Sequence, residues 1–173
     1  MRRTLPLAAA LLAGLLGFWF TLNWIPGFIM SRAMEQMETS GAVVNTALHA
    51  PPVTEASRNV VRPSPDILYS ICPYDLSRGP LLIQARWPRG GMYASISVYD
   101  SRTNNIFTLS DRDAIRAPAI WLDRPGAGAV PAGAIAVQSP TQTGLVLYRR
   151  IVGNPSMTPA ANAERRSFMC DAQ

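Results

Sequence analysis

The sequence predicts a mainly β protein: a β-sandwich-like domain held outside a membrane by an N-terminal transmembrane helix and covered on one side by a C-terminal helix. Three observations predict it. The chain opens on an apolar run with no charged residue between Arg3 and Arg32. From residue 58 onward, short runs rich in β-branched and aromatic residues alternate with Pro, Gly, Asn and Asp clusters at intervals of about ten residues, the pattern of an all-β sandwich or barrel. Near the end, Thr158-Pro159 precedes AANAERRSF, which places Pro in a first helical turn with good helix formers behind it. The expected organisation is an anchor over 1–30, a juxtamembrane helix and Pro-rich linker over 31–57, and a β-rich extracytoplasmic domain over 58–173.

The apolar run LPLAAALLAGLLGFWFTLNW covers residues 5–24. As helix it reaches roughly 30 Å, the thickness of a hydrocarbon core. Phe18, Trp19, Phe20 and Trp24 gather at its far end, where amphipathic rings prefer the headgroup level, and Pro26-Gly27 offers a kink beyond them. Arg2 and Arg3 before the span outnumber Arg32 close behind it, so the amino terminus is expected in the cytoplasm and the rest in the periplasm of a two-membrane bacterium. A cleavable secretory signal shares the basic start and the apolar run, but its apolar region is shorter and soon followed by a small-x-small site. Here Ser31-Arg32-Ala33 comes well past Phe20. Both readings deliver the later residues across the membrane.

Met30, Ala33, Met34 and Met37 fall at helical spacing, so the helix should continue for two turns and stop at Ser40-Gly41. That stripe suits either an adaptable docking face or a contact with the protein's own body, and the second is the commoner use. His49, the lone histidine, precedes Pro51-Pro52 and reads as a surface residue.

Strands are expected over 67–72, 81–87, 92–99, 106–109, 119–122, 134–138 and 145–151. In the third, Met92, Ala94, Ile96 and Val98 take one face, while Tyr93, Ser95, Ser97 and Tyr99 take the other, which should stay half wet. Arg89-Gly90-Gly91 before it has the composition of a hairpin connection. Residues 123–133 form a loop with no strand-to-helix context for a phosphate cradle.

The chain's chemistry is sparse. All 16 basic residues of the 173 are arginine, and the net charge of +5 is scattered rather than gathered in a patch, so no nucleic-acid partner is expected. Two cysteines, one histidine and scattered acids supply no metal set, and no cofactor is implied. Ser-His-Asp catalysis lacks a histidine near a serine on a strand-to-helix elbow. Asp66, Asp75, Asp100, Asp111 and Asp113 could meet as paired carboxylates, although acids at strand ends are usually turn formers. Cys72 and Cys170 lie 98 residues apart. An even count outside the cytoplasm favours a disulfide pinning the C-terminal helix to the first strand of the domain, and two buried free thiols are the alternative.

Residues 62–80, RPSPDILYSICPYDLSRGP, carry a family resemblance. Arg62-Pro63-Ser64-Pro65-Asp66, Leu68-Tyr69-Ser70, Tyr74-Asp75-Leu76-Ser77 and Gly79-Pro80, followed by Gly91-Met92-Tyr93 and Thr103-Asn104, resemble the opening motifs of the domain of unknown function 1254 family, with agreement to about Arg150. His49-Ala50-Pro51-Pro52, Ser57-Arg58 and Cys170 are similar to short single-span members. The resemblance implies a β-rich domain without an assigned activity. It also implies a companion, domain of unknown function 1214, either fused or on a separate chain, and the expectation here is a separate partner chain.

The expected function is therefore a membrane-anchored periplasmic binding or assembly module, more in keeping with a non-enzyme than an enzyme. The alternative is a periplasmic hydrolase using carboxylates near Asp66. Pro63 and Pro65 stiffen the approach to Asp66, and the tentative binding set is Arg62, Asp66, Tyr69, Thr103 and Asn104. The plainer reading has Asp66 accepting hydrogen bonds from turn amides and Tyr69 packing beside it.

Overall fold

A computed structural model describes residues 4–54, 57, 63–88, 92–113, 117–126 and 128–173. Arg62 and the Arg89-Gly90-Gly91 connection lie outside the described residues. Helix α1 runs over Thr4–Thr39, through Pro26 and Gly27, as one element. It is long and apolar enough to cross a membrane. Its first part leaves Leu7, Leu11, Leu12, Leu15, Leu16, Phe18 and Trp19 exposed among the described residues. Its last turns differ, because Met30 and Met37 are buried. They pack with Ala42 and Leu145, flanked by Ala33, Met34, Leu48, Ile71 and Tyr99. The methionine stripe therefore lies on the protein's own body.

Nine strands follow in two sheets among the described residues. Sheet A takes β1 (Leu48–His49), β2 (Ile67–Asp75), β4 (Ala94–Asp100), β5 (Asn105–Ser110) and β8 (Thr143–Ile151) in the order β1-β2-β8-β4-β5. Sheet B takes β3 (Leu81–Gln84), β6 (Ala119–Asp123), β7 (Ile135–Gln138) and β9 (Met169–Ala172) in the order β7-β6-β3-β9. Neighbours are antiparallel except β6 and β7. Period-2 alternation places Cys72, Tyr74, Ile96, Val98, Val146 and Tyr148 of sheet A against Leu81, Ile83, Ile120 and Leu122 of sheet B in one core. Phe168 stacks on Tyr148 at 5.5 Å.

Packing begins upstream of residue 58. Leu48 pairs with Ile71 and His49 with Ser70, while Asn45 donates from its Nδ2 to the Asp75 carbonyl and accepts from the Asp75 amide. Part of the expected linker is thus an edge strand and its approach. Cys72 and Cys170 are disulfide-bonded. Because Cys170 sits in β9, the bridge ties sheet A to a strand of sheet B rather than to the C-terminal helix α2 (Thr158–Arg165). Strand β9 carries four residues and no long alternation, so its pairing with β3 supplies the order that its composition lacks.

The outer face of β4 also departs from expectation. Ser95 and Ser97 are buried, not wet. β4 lies between β8 and β5, and the Arg149 side chain of β8 crosses it, donating from Nη2 to Ser97 Oγ at 3.1 Å and to Tyr99 Oη at 3.2 Å. Gly144 of β8 is required by close approach, since a Cβ there would stand 2.2 Å from the Tyr99 carbonyl oxygen and 2.4 Å from Tyr74 Oη. That oxygen donates to the Tyr99 carbonyl at 3.0 Å and lies 2.9 Å from Ser139 Oγ.

Candidate functional site

Asp66 stands exposed in the turn before β2. Its backbone carbonyl accepts from the Val152 amide at 2.7 Å, but among the described residues its carboxylate has no hydrogen-bond partner. The amide clasp expected around it is not found among the described residues, and the bond from Val152, just beyond β8, engages the backbone carbonyl only. Tyr69 is half-buried three residues further on, and its Oη accepts from the Ser64 amide at 3.2 Å. Thr103 and Asn104 belong to the β4–β5 turn. Thr103 adopts φ 64°, and the Asp100 carboxylate accepts from the Arg102 amide at 2.8 Å, the Asn104 amide at 2.9 Å and Asn104 Nδ2 at 2.8 Å. The Asn104 side chain thus closes a turn.

These residues do not converge. Tyr69 faces Arg149 and, across β8, Ser95, whereas Asp100 is level with Gly144 and Tyr74. Five residues separate those rows along β2, roughly 16 Å at strand rise. The Asp66-Tyr69 corner and the Thr103-Asn104 turn occupy opposite ends of sheet A. The other acids act locally: Asp75 caps the turn at Ser77, Asp111 accepts from the Ala94 amide, and Asp113 accepts from Ser110. The Ser77 amide, its main influence, holds the Asp75 carboxyl below its usual range. No second carboxylate is bonded to Asp66 among the described residues.

The interior holds a polar group that sequence reasoning missed. His49 Nδ1 lies 2.8 Å from Ser70 Oγ. Arg165, buried on α2, donates to the Tyr69 carbonyl, to Asn162 Oδ1 and, at 3.5 Å, to Ser70 Oγ. Burial, followed by the charges of Arg165 and Arg166, lowers the His49 pKa, so the ring is neutral near pH 7. A Ser-His contact can serve nucleophilic chemistry only where a substrate reaches the hydroxyl, and Ser70 is 0% exposed. The cluster instead satisfies a buried guanidinium, with desolvation lowering the Arg165 pKa. One signal was visible: Ser70 interrupts the inward apolar series Leu68, Cys72, Tyr74. Beside it, Arg150 pairs with Glu164 at 2.7 Å.

Concave surface occurs where α1 meets the domain. Asn23, Trp24, Gly27, Phe28, Ser31 and Arg102 line a groove of about 540 Å³. Arg102 Nη2 donates to Asn23 Oδ1 at 3.2 Å, and Asn23 Nδ2 donates to the Trp19 carbonyl at 2.8 Å. Phe20, Trp24 and Phe28 stack in a column, with centroids 6.4 and 4.8 Å apart. Arg32 lies over Phe28 and pairs with Glu35 at 2.8 Å. Gly27 and Ser31 also line a second groove of about 320 Å³, bounded by Glu35, Glu38, Ser101, Thr143 and Gly144. The sequence could not place Arg102 here, because 79 residues separate it from Asn23.

Fold and site define a two-sheet domain docked on an apolar helix of membrane-crossing length, with a groove at the junction. The chain belongs to the family described as Protein of unknown function (DUF1254), whose pattern matches residues 44–172. It is similar in fold to the VPA0106 protein from Vibrio parahaemolyticus, with a TM-score of 0.62 and 13% identity over 85% of this chain and 37% of that one. It is also similar to an uncharacterized protein from Burkholderia cenocepacia, with a TM-score of 0.51 and 17% identity over 84% of this chain and 39% of the other. The chain therefore spans well under half the length of both structures. No curated protein sequence matches it.

Proposed function

We propose that this protein is a membrane-anchored binding or assembly module whose sandwich sits in the periplasm, on the outer surface of a bacterial inner membrane, and works with a partner chain. The observation that carries the reading is the continuity of α1. A helix whose first part stands exposed among the described residues passes without a break into turns packed on sheet A, so an anchor and a domain seat are one rigid piece. Orientation follows from the arginine bias around the span. The partner is proposed on the family resemblance alone, which implies a companion domain of unknown function 1214 that can sit on a separate chain.

The hydrolase alternative draws no support from Asp75, Asp100, Asp111 and Asp113, whose carboxylates accept hydrogen bonds at turns and strand ends. A reporter active only in the periplasm, fused after Gln173, should work, and the protein should stay in the membrane after a high-salt wash. Reporter activity in the cytoplasm alone would overturn the orientation, and release by the wash would overturn the anchor. Cross-linking in intact cells should capture a companion-domain chain, and recovery of the protein alone would remove the partner.

A further inference from the structure

We infer that the groove between α1 and the β4–β5 turn binds the headgroup of an anionic phospholipid, with Arg102 as the cation that meets the phosphate; the inference rests on the membrane-anchored reading above. The groove lies at the height of the membrane surface. Between Leu5 and Asn23 the helix climbs 18 residues, about 27 Å, close to the roughly 30 Å of a hydrocarbon core. The Asn23-Arg102 contact therefore falls where the span leaves the apolar region, and the stacked Phe20, Trp24 and Phe28 rings mark the same level.

The charge in the groove favours an anion. Arg102 is exposed and makes no ion pair among the described residues. Its side chain is oriented by the bond to Asn23 Oδ1, and Asn23 is itself held by the Trp19 carbonyl. The guanidinium's other donors have no partner among the described residues and form a fork suited to two phosphate oxygens. Arg32 contributes less, because Glu35 offsets it. Glu35 and Glu38 line the neighbouring groove beyond Ser31, so a phosphate is favoured at Arg102 and repelled above it. Trp24 and Phe28 give the acyl and glycerol part an apolar wall.

The test uses the full chain in nanodiscs of phosphatidylcholine mixed with phosphatidylglycerol, extracted gently and weighed by native mass spectrometry for retained lipid. The wild type should retain phosphatidylglycerol above its share of the bilayer, and Arg102→Gln should lower that enrichment about fivefold, the equivalent of ~1 kcal/mol for one basic group at an anionic surface. Arg102→Lys should keep most of it, and Arg166→Gln, at the far end of α2, should keep all of it. Equal enrichment in wild type and Arg102→Gln would overturn the inference while leaving the anchored module standing. A chain that fails to enter nanodiscs would overturn both. Displacement of the retained lipid by inorganic phosphate would assign the groove to the free ion and also overturn the lipid site.

Discussion

The two parts of α1 differ in how their apolar residues are spaced, and they meet opposite fates. Leu11, Leu12, Leu15 and Leu16 are 59 to 69% exposed, whereas Met30 and Met37 are 6 and 7% exposed. An apolar surface that no protein covers must find lipid, and one with polar gaps at helical spacing can find a sheet. The difference lies in what separates the apolar residues. In the first part they follow one another all round the helix, while Arg32, Glu35 and Glu38 restrict the second part to one stripe. On the membrane-anchored reading one helix thus serves two solvents, and the sheet's Leu145, Ile71 and Tyr99 supply the second.

The largest expected effect removes support from the second part alone. Replacing Cys72 and Cys170 together with alanine should lower the sandwich's unfolding free energy by about 4 kcal/mol, read by chemical denaturation, with membrane insertion unchanged. A loss of insertion would mean that the two parts are not independent. A pair of helix substitutions sharpens the contrast further. Leu12→Arg should oppose insertion by about 3 kcal/mol and leave the sandwich's melting curve where it was. Met37→Ala should do the reverse, costing about 2 kcal/mol of domain stability through a cavity against Leu145. Matching effects of both substitutions on both readouts would dissolve the distinction.

A smaller effect comes from pH at the far end of the seam, where Leu48 and His49 form β1. The folded His49 pKa lies below its ordinary value of 6.5 through burial and the charges of Arg165 and Arg166, so the unfolded chain takes up a proton before the folded one does. The stability contribution is full above about pH 6.5 and falls as the pH drops from there toward the folded pKa. Thermal melts from pH 7.5 down to 5 should show that decline, and His49→Gln should flatten it. The smallest effect is at Asp66. With its carboxylate exposed and unbonded among the described residues, Asp66→Asn should change stability by no more than about 0.5 kcal/mol. A loss of several times that amount would restore a structural role for the acid.

The long apolar helix, the methionine stripe, seven of the strands, the C-terminal helix and the cysteine pair follow from the sequence, because each is written as a period or a composition within a few residues. Alternation fixes which side of β4 carries Ile96 and Val98, and nothing outside the strand is needed to read it. The other side could not be read in the same way. Ser95 and Ser97 look like wet positions until Arg149, on a neighbouring strand, is laid across them. The same limit hid β1 and β9, which are too short to show a period and exist through pairing with β2 and β3. It hid the His49-Ser70-Arg165 cluster, assembled from an edge strand, a sheet interior and a helix, and it hid Arg102 at Asn23. Local pattern determines which residues prefer a helix, a strand or lipid. Contacts between distant segments decide which polar groups are satisfied and where a groove opens, because that requires the register of strands on which no single segment carries information.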